Sequence, residues 1–192
     1  MKIGVFGGSF NPPHYGHLVI AERVREEFQL NKVLFIPSAI SPHKRHQGLI
    51  DPAYRMEMVQ LALYRQECFE PSPIEIERGG VSYTADTLEK LRQANPGAEL
   101  HLLIGMDNLD EFDTWKSPDR IAKLAKIVVM TRPGFQTAGV ASEIEKMFIF
   151  CQVPEIGISS REIRQRVKEG KSIRFLVPKT VEAYINYRGL YR

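Results

Sequence analysis

The residues with most chemical potential stand in the first stretch of the chain, Gly7-Gly8-Ser9-Phe10-Asn11-Pro12-Pro13-His14-Tyr15-Gly16-His17. Two histidines three positions apart follow a glycine turn and two prolines. The apolar run Ile3 to Phe6 before them reads as a buried strand, and an amphipathic helix starts near Gly16-His17. Strand, glycine turn and helix start bring backbone N–H groups and a helix dipole to bear on one point, which favours an anion. Phosphate chemistry is the first expectation. The spacing of His14 and His17 also suits a metal, or one ring as a helix cap and the other as a core residue. No third metal ligand of obvious kind lies nearby. Gly16 would let a substrate approach the backbone, and the prolines stiffen the loop, which favours phosphate over the alternatives.

Two other phosphate motifs fail by spacing. Gly4-x-x-Gly7-Gly8 is not the glycine pattern of redox dinucleotide sites. Gly170-Lys171-Ser172 resembles the end of a P-loop, but Gln165 stands where the upstream glycine is required, and a helix precedes it instead of a strand.

The elements that must position these residues alternate. After the helix from Leu18 to Phe28 come a strand over Lys32 to Pro37, a loop, and a helix from Asp51-Pro52 to about Tyr64. Cys68 to Arg78 reads as extended, because Ile74-x-Ile76 alternates with Glu75 and Glu77. Thr84 is expected to cap a helix that ends at Asn95-Pro96-Gly97. A strand over Leu100 to Ile104 then leads into a short acidic helix, Asp107 to Asp113. Ser117-Pro118 opens a further helix to Leu124. Strands over Lys126 to Met130 and Phe148 to Val153 flank a turn at Arg132-Pro133-Gly134. Ser159-Ser160 caps a helix to about Glu169, and Pro178 starts a final one to Tyr187.

This order indicates an α/β fold, a Rossmann-like doubly wound and mostly parallel sheet with helices on both faces. One domain over residues 1–192 is expected, with the C-terminal helices (about 159–192) packed onto it. Ligands of such sheets bind beyond the carboxyl ends of the strands, at a topological switch point. Gly7-Gly8-Ser9, Pro37-Ser38, Gly105-Met106-Asp107, Thr131-Arg132 and the segment before Ser159 should share that rim.

The bulk properties exclude several classes. With 192 residues, 43% of them hydrophobic and 26% charged, the chain suits an ordinary globular domain. A formal net charge of +3 and the lack of a basic stripe speak against a nucleic-acid partner. The two cysteines, Cys68 and Cys151, have no metal-ligand spacing and suit a reducing compartment. No signal peptide and no apolar run long enough to span a membrane are seen, so a soluble cytoplasmic protein is expected. The oligomeric state is left open, and a homo-oligomer is compatible with the sequence.

Residues 7–17 resemble the G-x-F-x-P-x-H-x-G-H motif of the nucleotidyltransferase superfamily, with His14-Tyr15-Gly16-His17 as the H-x-G-H core. Ile158 to Arg164 is similar to that superfamily's I-S-S-T-x-I-R motif, with Arg161 in place of the usual hydroxyl residue. Within the superfamily, three further segments resemble the bacterial nicotinate-nucleotide adenylyltransferase family. These are Ser41-Pro42-His43-Lys44, Tyr83-Thr84-x-x-Thr87-Leu88, and Gly105-x-Asp107-Asn108-Leu109-x-x-Phe112-x-x-Trp115; Met106 stands where alanine is usual.

The resemblance implies attack of a mononucleotide phosphate on the α-phosphorus of ATP, with release of pyrophosphate and no protein nucleophile. It implies His14, His17, Lys44 and Arg164 as the catalytic set. ATP would be bound by Gly7, Gly8, Ser9, Phe10, Gly16, Gly105, Asp107, Ile158, Ser159, Ser160 and Arg161. Nicotinate mononucleotide would be bound by Ser9, Asn11, Lys44, Tyr83, Thr84, Ala85 and Trp115, its carboxylate at the helix start and its ring on the tryptophan. Mg²⁺ would arrive with ATP, held by phosphates and water. The sister activities toward nicotinamide mononucleotide or phosphopantetheine, and a non-catalytic nucleotide-binding regulator, are the competing readings.

Overall fold

The structure, a computed structural model, describes residues 1–40, 48–109, 111–131 and 147–192. Six strands, β1 (Lys2–Gly8), β2 (Lys32–Pro37), β3 (Phe69–Pro71), β4 (Glu99–Gly105), β5 (Lys126–Thr131) and β6 (Phe148–Gln152), form one sheet in the order β3-β2-β1-β4-β5-β6. Every pair of neighbours is parallel. The helices are α1 (Tyr15–Phe28), α2 (Pro52–Ala62), α3 (Ile74–Arg78), α4 (Thr84–Ala94), α5 (Met106–Leu109), α6 (Pro118–Leu124), α7 (Ser160–Lys168) and α8 (Lys179–Arg188). The strand order turns back between β1 and β4, the switch point of a doubly wound sheet.

Strand residues alternate between two cores. Ile3, Val5, Leu34, Ile36, Leu102, Ile127 and Val129 face α4 and α6, where Ala85, Leu88 and Ile121 cover them. Phe6, Val33, Phe35, Leu103 and Val128 face the other way, onto Ala21 and Val24 of α1 and Val59 of α2. A sheet covered on both faces needs continuous apolar runs rather than half-polar strands, which is why KVLFIP and KIVVMT read as they do. Each large apolar side chain fully withdrawn from water contributes about 1.5–3 kcal/mol. A third cluster joins Met58 and Ala62 of α2 to Ile163 of α7 and to Val181 and Ile185 of α8.

Three local expectations need correction. Residues 74–78 form a helix, with Glu77 N–H on the Pro73 carbonyl at 2.8 Å and Gly79 N–H on Glu75 at 3.0 Å. Alternation across so few residues also fits one helical turn. Glu75 faces inward because the Thr87 hydroxyl donates to it at 2.7 Å. Thr84 does not cap α4; Tyr83 holds that position, since its carbonyl accepts the first helical bond from Thr87 N–H, and Thr84 is already helical. The acidic helix after β4 is instead the short α5 followed by a 3₁₀ turn at Phe112–Thr114. The turn expected at 132–134 lies outside the described residues. No helix among those described is long and apolar enough to cross a membrane.

Candidate active site

A cavity of about 470 Å³ opens beyond the carboxyl ends of β1, β2 and β4, large enough for a small ligand. Its walls bring together eight of the residues singled out from sequence: Gly7, Gly8, Ser9, Tyr83, Thr84, Gly105, Asp107 and Trp115. Nothing lies within 4 Å of where a side chain would project from Gly7, so this wall is open to a ligand. On the far wall the first N–H groups of α4 have no intrahelical partner and face an anion favourably. Ala85 is fully buried, so its side chain takes no part; its backbone N–H belongs to that helix start.

The two histidines are not among the residues that line this cavity; His17 neighbours Phe6, which does line it, with ring centroids 6.1 Å apart. His14 caps α1, and its backbone N–H donates to Nδ1 of His17 at 3.1 Å, while His17 N–H donates to the His14 carbonyl at 3.0 Å. A ring nitrogen that accepts from a backbone N–H must be unprotonated, so the His17 proton sits on Nε2, which is then a donor. The His17 ring is boxed in: it stacks on His14 with centroids 3.7 Å apart and meets the edge of Phe10 at 5.1 Å.

His14 itself is only 7% exposed, and its Nδ1 has no hydrogen-bond partner among the described residues. Burial pushes its imidazole down to about 4, so the ring is neutral at neutral pH. It is therefore not a phosphate-neutralising cation. Its nearness also explains Gly16 in a way the spacing did not: a Cβ there would stand 2.9 Å from His14 Nδ1.

The second motif meets the first directly. Ser160 Oγ donates to the Pro12 carbonyl and Arg164 Nη1 to the Asn11 carbonyl, both at 2.8 Å. Ser159 caps α7, accepting from Glu162 N–H at 3.1 Å, and Arg161 is exposed at the start of that helix. Ile158 packs on the third core cluster behind them. Segments 148 residues apart in sequence thus make one structure.

Two residues assigned to substrate occupy other places. Asn11 is 0% exposed; its Nδ2 donates to the Gly48 carbonyl at 3.3 Å and its Oδ1 accepts from the Tyr191 hydroxyl at 2.9 Å. Phe10 is 1% exposed and packs between Phe6, Phe35 and His17. Both hold the loop instead of lining the cavity. Lys44 lies outside the described residues.

The sequence reading missed Arg55. It is 1% exposed, and its guanidinium donates to the carbonyls of Ser9 at 2.9 Å, Ile50 at 3.2 Å, and Ser38 and Ala39 at the end of β2. Burial lowers its pKa, yet it keeps its charge because four carbonyl oxygens replace water. Nothing in its helical pattern set it apart from a surface cation. Lys116 was missed as well. It lines the cavity beside Trp115, with its Nζ 4.3 Å from the centre of the Tyr83 ring and 3.1 Å from Asp86. Among the described residues no cluster of three His, Cys, Asp or Glu stands together to hold a metal.

Comparison with known proteins agrees with this geometry. The cytidylyltransferase-like family model matches residues 5–166. A protein of Desulfitobacterium hafniense (strain Y51) named "probable nicotinate-nucleotide adenylyltransferase" is 43% identical, the alignment spanning 100% of this chain and 96% of that one. A protein of the same name from Dictyoglomus thermophilum is 45% identical, with both chains covered in full. Among solved structures, nicotinic acid mononucleotide adenylyltransferase of Plasmodium falciparum, complexed with NaAD, superposes with a TM-score of 0.79 over 99% of this chain and 97% of that one. At 17% identity that likeness speaks for the fold. The chain thus belongs to the cytidylyltransferase-like nucleotidyltransferases and, within them, to the nicotinate-nucleotide adenylyltransferase family.

Proposed function

We propose that this protein transfers the adenylyl group of ATP to nicotinate mononucleotide, forming nicotinate adenine dinucleotide and pyrophosphate in NAD biosynthesis. A phosphate oxygen of the mononucleotide forms the new bond to the α-phosphorus. The bond from that phosphorus to the bridging oxygen of the β-phosphate breaks, and pyrophosphate carries the electrons away. No protein nucleophile is needed, so catalysis rests on alignment and on stabilising charge at the α-phosphate. The observation that carries this reading is the His17 ring, fixed with its proton on Nε2 at the start of the helix that follows β1 and next to Phe6, which lines the switch-point cavity.

In this reading His17 donates to an α-phosphate oxygen as charge develops there. His14, being neutral, contributes chiefly by setting the His17 tautomer and packing on its ring. Gly7, Gly8 and Ser9 supply backbone and hydroxyl donors. Arg161, the start of α7 and the nitrogens of Arg164 not engaged by Asn11 hold the β- and γ-phosphates. Lys44 adds charge to the phosphates. ATP enters as its magnesium complex, so the ion is part of the substrate. The nicotinate carboxylate lies at the N–H groups of Thr84 and Ala85, next to Lys116, and Trp115 stacks on the pyridine ring. Asp107 reaches the ribose or adenine side. The 192 residues act as one domain, with α7 and α8 serving the site from its edge, and the protein works in the cytoplasm.

Pyrophosphate release from ATP, measured with each candidate mononucleotide in turn, tests the reading. Nicotinate mononucleotide is expected to give the highest kcat/KM. A clear preference for nicotinamide mononucleotide or phosphopantetheine, or no turnover with any of them, refutes it.

A further inference from the structure

The loop that presents the two histidines is held from outside the sheet. Its Ser9 carbonyl accepts from Arg55 of α2, its Asn11 carbonyl from Arg164 and its Pro12 carbonyl from Ser160 of α7. Tyr15 N–H, at the start of α1, donates to the Leu176 carbonyl at 3.0 Å. Between these contacts lies the Asn11 side chain, fully buried, with both ends of its amide engaged.

The orientation of that amide is determined by chemistry. The Gly48 carbonyl can only accept, so Nδ2 must face it and Oδ1 must face Tyr191. The Tyr191 hydroxyl is then the donor. Burial raises its pKa, so the phenol keeps its proton, and Arg55 and Arg164 both stand near enough to act on it electrostatically. Tyr191 therefore occupies the centre of the set of groups that grip residues 9–12, although 180 positions separate it from Asn11.

We propose that Tyr191 is a positioning residue for adenylyl transfer, its hydroxyl acting through the Asn11 side chain to hold the loop that sets the His17 ring. Removing the donor leaves Asn11 Oδ1 buried and unsatisfied, a state that costs more than the loss of one average hydrogen bond. The loop relieves it by moving. Three residues on, His14 N–H then no longer meets His17 Nδ1 at hydrogen-bond distance, and the donor on Nε2 loses its aim. The interaction with the α-phosphate strengthens only in the transition state, so the loss falls on kcat and not on substrate binding. The assignment rests on the adenylyltransferase reading above.

The test is Tyr191→Phe, which removes one oxygen atom, with Tyr187→Phe on the exposed face of α8 as control. Two readouts are used: steady-state kinetics with ATP and nicotinate mononucleotide, and the imidazole resonances of His14 and His17 in the ligand-free protein. Tyr191→Phe is expected to lower kcat about five- to tenfold with both KM values within about twofold, and to shift the His17 resonances. Tyr187→Phe should change neither. Unchanged resonances, unchanged kcat, or a rise in KM at constant kcat would overturn the proposal. If the parent protein shows no turnover with nicotinate mononucleotide, the functional reading fails, and the His17 resonances alone decide whether Tyr191 positions the loop.

Discussion

The histidine loop and the far wall of the cavity are built by opposite means. The loop from Ser9 to His17 is largely buried, with Asn11 at 0% and His14 at 7% exposure, and it is tied by hydrogen bonds to α2, α7 and Tyr191. The wall from Tyr83 to Trp115 is joined by partly exposed charges. Lys116 pairs with Asp86, Arg120 pairs with Glu89, and Lys116 lies over the Tyr83 ring. Buried networks tolerate few arrangements, whereas exposed ion pairs are weak and readily exchanged. The difference suits the proposed division of labour. Stabilising a transition state needs groups held in one place, while choosing among mononucleotides needs a surface whose composition can vary.

The sharpest way to test that contrast is His17→Ala. Loss of one transition-state donor should lower kcat by about 10²–10³-fold with little loss of folding, read by kinetics beside thermal unfolding. Near-parent turnover in a folded variant would remove His17 from the mechanism. Gly16→Ala comes next. Its Cβ would press on His14, displace the stacked pair and lower kcat by about ten- to a hundredfold, while KM for the mononucleotide stays close to the parent value.

The buried loop should also show in the pH dependence of stability. The folded His14 titrates near 4, against 6.5 for an unperturbed histidine. Between those values only the unfolded chain binds the extra proton, so the His14 contribution is full above about 6.5, falls as the pH drops from there to about 4, and levels off below. Replacing His14 with glutamine should flatten that part of the curve, measured by denaturant unfolding across the range.

Changes on the far wall should be smaller and confined to binding. Trp115→Ala is expected to raise KM for the mononucleotide by about tenfold, and KM for ATP by much less. Equal effects on both substrates would make Trp115 a structural residue. Lys116→Met should cost less still, since its partner Asp86 is partly exposed and such pairs contribute about 0–1 kcal/mol. Its effect should fall on nicotinate mononucleotide and spare the amide, which a comparison of the two KM values would reveal.

What the sequence determined by itself is the set of local signals that do not depend on distant partners. The apolar runs at Ile3, Lys32, Leu100 and Lys126 are long enough to announce buried parallel strands, and alternation with helices implies the doubly wound order. Asp51-Pro52 and Ser159 cap α2 and α7 through contacts two and three residues away, so those starts were legible. Glycine turns and histidines at a helix start likewise pointed to phosphate. The short alternation at Ile74 was not decisive, because a single turn of helix places the same residues inward and outward.

Only the tertiary structure decided how the site is held. Arg55 and Tyr191 carry no mark in their own neighbourhoods; their roles come from the carbonyls of Ser9, Ser38, Ala39 and Ile50 and from the Asn11 amide, which the fold brings to them. Asn11 and Phe10, which the family resemblance assigned to substrate, have their side chains buried within the loop, where the amide is paired at both ends and the ring packs among Phe6, Phe35 and His17. His14 was legible as a functional position but not as a neutral one. Its charge state depends on how completely the fold removes it from water, and no local pattern of residues records that.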